Sequence, residues 1–321
     1  LTHYGYVKRT PLSEYKSQRR GGKGITGLST REEDFIKDMY ITSTHQRLLI
    51  FTSLGRVYEL KAYEIPEAGR QAKGTAIVNI LQLQPNEKVQ SFIPVIDDTD
   101  EEYYLFMATR AGTVKKTPLS DFKNIRRGGI IAINLRDEDE LVGVKLTDGD
   151  REILLATKGG KIIRFHESDV RDMGRVSMGV KGIELDSDDF VIDMEVVRHG
   201  GYVLTVSENG IGKRTPIEEY RSQTRGGKGI LTMNRTAKTG NLIALKIVDV
   251  DDDIMMINSN GIIIRIPAEE ISIMGRNTQG VTLMRMGDDG KVVAVARVED
   301  EDEDEENEEK ADNENKEDTD S

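Results

Sequence analysis

The heptapeptide Gln18-Arg19-Arg20-Gly21-Gly22-Lys23-Gly24 holds three cations and three glycines in seven residues. Guanidinium and ammonium groups donate charge-assisted hydrogen bonds to phosphate oxygens. Glycines admit positive φ and let backbone amides approach an anion closely. The chemistry this predicts is phosphate binding. A turn between strands also favours Gly and Lys, so the motif alone does not decide the matter. Its recurrence along the chain does.

A turn glycine followed by a short strand recurs six times, at Gly5, Gly55, Gly112, Gly160, Gly210 and Gly261, about fifty residues apart. Ahead of the last five lie apolar runs of strand length: Leu48–Phe51, Tyr104–Met107, Ile153–Leu155, Val203–Val206 and Ile254–Ile257. A third apolar stretch follows in each copy, as at Gly74–Val78, Gly129–Ile133 and Gly280–Leu283. A fourth lies at Val89–Val95, Glu140–Leu146, Phe190–Val196, Leu242–Val248 and Val292–Val298. Four short strands and their turns fill about fifty residues, the size of one propeller blade, and helical periodicity is poor throughout. The fold class expected is all-β: a closed or nearly closed ring of six four-stranded blades over residues 1–298, followed by a tail over 299–321. The chain begins with Leu1 inside what reads as a first strand, as a fragment of a longer protein would.

The copies alternate. The first, third and fifth carry Lys8-Arg9-Thr10-Pro11-Leu12, Lys115-Lys116-Thr117-Pro118-Leu119 and Lys213-Arg214-Thr215-Pro216-Ile217. They run on to Arg19-Arg20-Gly21-Gly22, Arg126-Arg127-Gly128-Gly129 and Arg225-Gly226-Gly227-Lys228-Gly229. The second, fourth and sixth carry Ala68-Gly69-Arg70, Met173-Gly174-Arg175 and Met274-Gly275-Arg276 instead. This points to triplication of a two-blade unit. In a ring, equivalent positions recur around one surface. The basic pairs and basic loops, together with Arg56, Lys73 and Arg164, are therefore expected to form a belt of cations that tracks the phosphates of duplex DNA with little sequence readout. Tyr15, Phe122 and Tyr220 follow the Pro-Leu or Pro-Ile turns at a fixed offset and read as packing anchors, which disfavours base stacking on single strands.

Charge is unevenly placed. The net charge is −12, but residues 299–321 hold 15 acidic and 2 basic residues, so the body carries a net charge of +1. Attraction for a polyanion must then come from where the cations sit. The tail is too acidic and apolar-poor to fold alone. It reads either as a solubilising end or as a competitor for the body's basic surface. The absence of cysteine excludes a disulfide framework and thiolate metal sites and suits a reducing cytoplasm. No apolar run approaches a membrane span.

Catalytic chemistry finds little support. The Gly-Lys pairs at 22–23, 160–161, 212–213, 227–228 and 290–291 lack the Ser or Thr that completes a phosphate-loop ATPase. His3, His45, His166 and His199 have no ligand-like spacing. Asp186-Ser187-Asp188-Asp189 lacks the spaced ligands and glycine of a calcium loop. No catalytic residue, metal site or cofactor is assigned. A protein-interaction propeller and a propeller hydrolase are the competing classes. The first is disfavoured by the absence of Trp, the second because no axial carboxylate or histidine set recurs.

The heptapeptide resembles the box that marks the C-terminal domain of bacterial DNA gyrase A, and the six-fold repeat over 1–298 resembles that domain throughout. A second copy, Gln223-Thr224-Arg225-Gly226-Gly227-Lys228-Gly229, departs from the box by one Thr. The homologous domain of topoisomerase IV, the alternative, lacks an intact box. The resemblance implies a β-pinwheel in which neighbouring blades exchange a strand, and DNA wrapped around the rim with a positive crossing. It implies that the box, Gln18 to Gly24, holds the first blade to the last and contacts DNA. It places the catalytic tyrosine in an absent upstream domain and the use of ATP and Mg2+ elsewhere in the enzyme. The implied partners are double-stranded DNA, the rest of gyrase A, and gyrase B in a heterotetramer of two A and two B chains in the bacterial cytoplasm.

Overall fold

A computed structural model describes residues 1–2, 4–11, 42–69, 72–95, 102–198, 200–260, 262–286 and 290–298. The first copy contributes β1 (Tyr6–Val7). The second contributes β2 (Arg47–Thr52), β3 (Arg56–Lys61), β4 (Thr75–Ala76) and β5 (Val89–Pro94), and the third β6 (Tyr104–Thr109), β7 (Thr113–Pro118), β8 (Ile130–Ile131) and β9 (Leu141–Thr147). The fourth supplies β10 (Glu152–Thr157), β11 (Lys161–His166), β12 (Val180–Lys181) and β13 (Val191–Val196). The fifth supplies β14 (Tyr202–Ser207), β15 (Ile211–Pro216), β16 (Ile230–Leu231) and β17 (Leu242–Val248). The sixth supplies β18 (Asp253–Asn258), β19 (Ile263–Pro267), β20 (Val281–Thr282) and β21 (Val292–Val298). The architecture is all-β, as the short, evenly spaced apolar runs require, and the fourth strands fall where the sequence put them.

One sequence copy is not one blade. The sheets run β5-β2-β3-β8, β9-β6-β7-β12, β13-β10-β11-β16 and β17-β14-β15-β20, so each takes its last strand from the following copy. The register repeats from one sheet to the next: Arg56 faces Ile131, Thr113 faces Lys181, Lys161 faces Leu231, and Ile211 faces Thr282. β1 and β4 pair in the same way. This exchange is the one the resemblance implied and periodicity does not reveal. The sheet β19-β18-β21 has three strands among the described residues.

Two local causes fix the exchange. The carbonyl of each turn glycine accepts amides from the next copy: Gly55 from Ala132 and Ile133, Gly160 from Thr232 and Met233, both pairs at 2.9–3.4 Å. A second glycine opens each exchanged strand. At Gly229 φ is +68° and a Cβ would come within 2.7 Å of the Ile162 carbonyl oxygen, so a side chain there would push the two strands apart.

The second strands β3, β7, β11, β15 and β19 each run into a 3-10 turn, and three of them end in Pro118, Pro216 or Pro267, which lacks the N–H to continue the ladder. Phe122 and Tyr220 are fully buried behind these turns, as anchors should be. Tyr220 satisfies its hydroxyl on Thr232 at 2.5 Å, and burial pushes it up to about 12. Apolar layers fill the space between successive sheets. One joins Leu49, Phe51 and Ile93 of the second copy to Leu105, Met107 and Phe122 of the third; the next joins Phe106 to Ile153, Phe165 and Met194. Removing these side chains from water is the main force closing blade on blade.

Candidate nucleic-acid interface

The fourth strands β5, β9, β13, β17 and β21 pack against one another in succession around the axis. The opposite edge of each sheet, occupied by β8, β12, β16 and β20, is therefore its outer rim. The loops that lead into those strands are the basic, glycine-rich ones. Alternation of Gly and Arg ahead of a two-residue strand thus places cations on the perimeter, for the same reason that it exchanges the strand.

Arg126, Arg127 and Lys228 are exposed there. Arg175 is half-buried and its guanidinium has no hydrogen bond or ion pair to the described residues. Other candidates at the rim are held by the fold. Arg56 donates to the Gly128 and Gly129 carbonyls at 2.6 and 3.2 Å. Arg225 donates to the Asp169 and Lys181 carbonyls, both at 2.9 Å. Lys73 lies 3.7 Å from the centre of the Tyr6 ring, in cation–π contact. Lys8 reaches the Gly69 carbonyl at 3.2 Å, and Arg9 pairs with Glu67 at 2.9 Å.

The second-strand pairs overturn one expectation. Lys115 and Lys213 are fully buried, and Lys116 and Arg214 are 7% and 4% exposed, so these four cannot form part of a surface belt. Their positions on inner rungs of the sheet, covered by the next copy's loop, are the reason. Lys116 pairs with Asp172 at 3.0 Å. Arg214 donates to the Ile271 and Glu269 carbonyls at 2.9 and 3.0 Å. Arg164, half-buried, pairs with Glu152 and donates to the Ile217 and Tyr220 carbonyls at 3.0 and 3.1 Å. Lys116, Arg214 and Arg164 thus each join one copy to the next. Arg70 and the whole box from Gln18 through Arg19, Arg20, Gly21, Gly22 and Lys23 to Gly24 lie outside the described residues, as do Tyr15 and the tail 299–321.

Sequence reasoning missed further rim cations. Lys123, Arg171 and Arg221 are all exposed, and each follows directly on the anchor of its 3-10 turn, Phe122, Val170 or Tyr220. That shared offset was the available signal. Arg276, in the third Gly-Arg turn, sits half-buried and donates to the Leu231 carbonyl at 3.1 Å. The hub was missed altogether. There Glu195 accepts Lys145 at 2.8 Å and Lys246 at 3.0 Å, while Asp193 takes Lys246 at 2.8 Å. Burial pushes the Glu195 carboxyl up, but Lys145 and Lys246 outweigh it and hold the group at about 2. The acidic segment at 186 has a different use: Asp186 pairs with Lys161 at 2.5 Å.

The family model described as DNA gyrase C-terminal domain, beta-propeller, matches residues 1–43, 46–96, 103–148, 151–198, 201–249 and 252–299. The DNA gyrase A protein of Clostridium acetobutylicum is 51% identical over 298 residues, covering 93% of this chain and 36% of that protein. The DNA gyrase A protein of Staphylococcus epidermidis is 46% identical over 302 residues, covering 94% and 34%. The chain thus spans about a third of the length of these curated relatives. Among solved structures, the C-terminal domain of DNA topoisomerase IV superposes with a TM-score of 0.81 at 28% identity, covering 95% of this chain and 94% of that one. The DNA gyrase A C-terminal domain superposes with a TM-score of 0.75 at 28% identity, covering 92% and 97%. Six matched repeats, a strand exchanged between successive copies and near-half identity to gyrase A proteins together place this chain in the DNA gyrase C-terminal domain family.

Proposed function

We propose that this chain binds duplex DNA along its outer rim and wraps it with a positive crossing, as the wrapping domain of a gyrase A protein. In that role it works with gyrase B, as two A and two B chains, in ATP-dependent negative supercoiling. ATP and Mg2+ act elsewhere in that assembly. The observation that carries the reading is the row of exposed or partner-free cations, Arg126, Arg127, Arg175 and Lys228, at the outer edge of successive sheets. Arg56, Lys73, Arg225 and Lys8 back this row. Arg70, Arg19, Arg20 and Lys23 extend it in the proposal.

Energetics support a long contact. Bending a site of 20–30 base pairs by 40–90° costs about 1–6 kcal/mol, so a wrap must recover more than that from phosphates. If about ten phosphates are neutralised, log affinity falls against log salt with a slope of about −9. Titration of a linear duplex at several salt concentrations tests this; a slope shallower than about −3 rejects wrapping. The topoisomerase IV alternative is not favoured, because the relatives with near-half identity are gyrase A proteins.

A further inference from the structure

Lys115 and Lys213 are cationic side chains that the rim does not use, both with no exposed surface. Neither ammonium has a carboxylate partner within ion-pair distance among the described residues. Each instead donates to oxygens of the following copy's Gly-Arg turn, joined at Lys115 by the Ala132 carbonyl of its own copy. Lys213 donates to the carbonyls of Gly275 (2.6 Å), Arg276 (2.5 Å) and Thr278 (3.0 Å) and contacts the Thr278 hydroxyl at 3.0 Å. Lys115 donates to the carbonyls of Arg175 and Ser177, and to that of Ala132 at 2.6 Å. Lys8, at the same place in the first copy, reaches the Gly69 carbonyl. The other copies carry Tyr58, Ile163 and Ile264 there, and the turns that follow Tyr58 and Ile163 in the next copies lack the Gly-Arg pair.

Burying an ammonium without a counter-ion is costly, and a methionine would fill the same volume without that cost. A chain of lysines retained solely to fold would be a poor solution. What the ammonium supplies is three directional donors aimed at the backbone of a half-buried rim arginine and its turn. We infer that Lys115 and Lys213 are positioning residues for DNA binding: each gathers the carbonyls of a Gly-Arg turn around one buried charge and so holds Arg175 or Arg276 at the height where it meets a phosphate. This rests on the DNA-wrapping reading above.

The charge is adjustable. Burial and then the Arg175 guanidinium pull Lys115 down to about 7, against a small opposing pull from Asp121. Burial pulls Lys213 down to about 8, with Glu219 opposing and Arg276 assisting. The Lys116–Asp172 pair beside Lys115 is the other charged contact at that turn. A neutral amine keeps two donors and loses its charge, so the turn loosens as pH rises through these values. Stability moves the opposite way. The folded pKa lies below the unfolded value of 10.5, so the cost of the buried charge is absent above 10.5 and complete below about 7. Raising pH from 7 to 9 therefore strengthens the fold while it weakens this part of the rim, a pairing that a purely structural lysine does not produce.

The test uses the chain 1–321 and a linear duplex. Lys213→Met and Arg276→Ala are each expected to make the salt slope shallower by about 0.9, the share of one phosphate, and the double variant to lose no more than either. Amide exchange at Gly275–Thr278 without DNA should quicken in Lys213→Met and stay unchanged in Arg276→Ala. The wild type should lose affinity between pH 7 and 9 while its melting temperature rises. If Lys213→Met does not fold, the same wild-type pH series still decides. Additive losses, an unchanged slope in a folded Lys213→Met chain, or a flat wild-type pH profile overturns the proposal. A wild-type chain that binds no duplex at any pH instead removes the wrapping reading and this inference with it, whereas faster exchange at 275–278 would still stand as a structural result.

Discussion

Glu195 on β13 and Lys246 on β17 meet at 3.0 Å across the hub, at the same rung of neighbouring sheets, where Leu154 and Leu204 are their in-sheet partners. Lys145 on β9 closes the row from the other side at 2.8 Å. Three successive blades are thus tied by alternating charge, lysine, glutamate, lysine, at a position that is Ile93 in the second copy and Ala296 in the sixth.

Replacing Glu195 by Gln leaves Lys145, 38% exposed, without its carboxylate while Lys246 keeps Asp193, and is expected to destabilise the chain by about 1–3 kcal/mol, the range for hydrogen bonds to charged groups. Because the Glu195 carboxyl is held at about 2, below its ordinary 4.5, its stabilisation is complete above 4.5 and lost as pH falls through about 2. Acid unfolding followed by circular dichroism should show this lowest-pH limb in the wild type and lack it in Glu195→Gln.

Neighbouring glycines should answer differently to alanine. A Cβ at Gly129 would lie 2.8 Å from the Tyr58 ring and φ is +70°, whereas a Cβ at Gly128 meets nothing within 4 Å. Gly129→Ala is expected to cost about 1–3 kcal/mol and Gly128→Ala to stay within about 0.5 kcal/mol of the wild type. Thermal melts of the two variants measure the contrast; equal melting temperatures would refute the exchange-strand role assigned to Gly129.

Substituting Arg19, Arg20 and Lys23 together by Ala, in a complete gyrase A protein assembled with gyrase B, is expected to reduce supercoiling far more than relaxation, since relaxation needs no wrap. Topoisomer gels on relaxed and supercoiled plasmid read the two activities. Equal loss would count against a wrapping role for the box.

The tail brings 13 net negative charges to the end of a body that is nearly neutral. Tethering makes its effective concentration at the rim high. Deleting 299–321 should tighten duplex binding at low salt and change little at high salt, where screening shortens the reach of charge. Unchanged affinity at low salt would show that the tail does not compete.

Strand positions were legible in the sequence because alternation and turn glycines are local: β9, β13, β17 and β21 fall within a residue of their expected limits. The strand partner was not, since the pairing of β8 with β3 rather than β7 depends on which backbone the Gly129 turn approaches, and no periodic signal encodes that. The site was half legible. Arg126, Arg127 and Lys228 are exposed at the rim as the repeat suggested. Lys115 and Lys213 looked alike in sequence but are buried, because a strand lysine followed by another cation gives no hint of which face the next copy's loop will cover. The glycines of the box were read as room for phosphate and lie outside the described residues; in the described rim loops Gly129, Gly179 and Gly229 make room for the preceding copy's second strand.

Borrowing the outermost strand from the copy ahead has a temporal side. As the chain leaves the ribosome, β7 is made at 113–118 but the strand that completes its sheet arrives only at 180–181. Each of the four four-stranded sheets therefore waits, open-edged, for the next to be synthesised, and each arrival finishes one while beginning another. No break at a repeat boundary can yield a finished piece, so a truncated product would expose an unpaired edge.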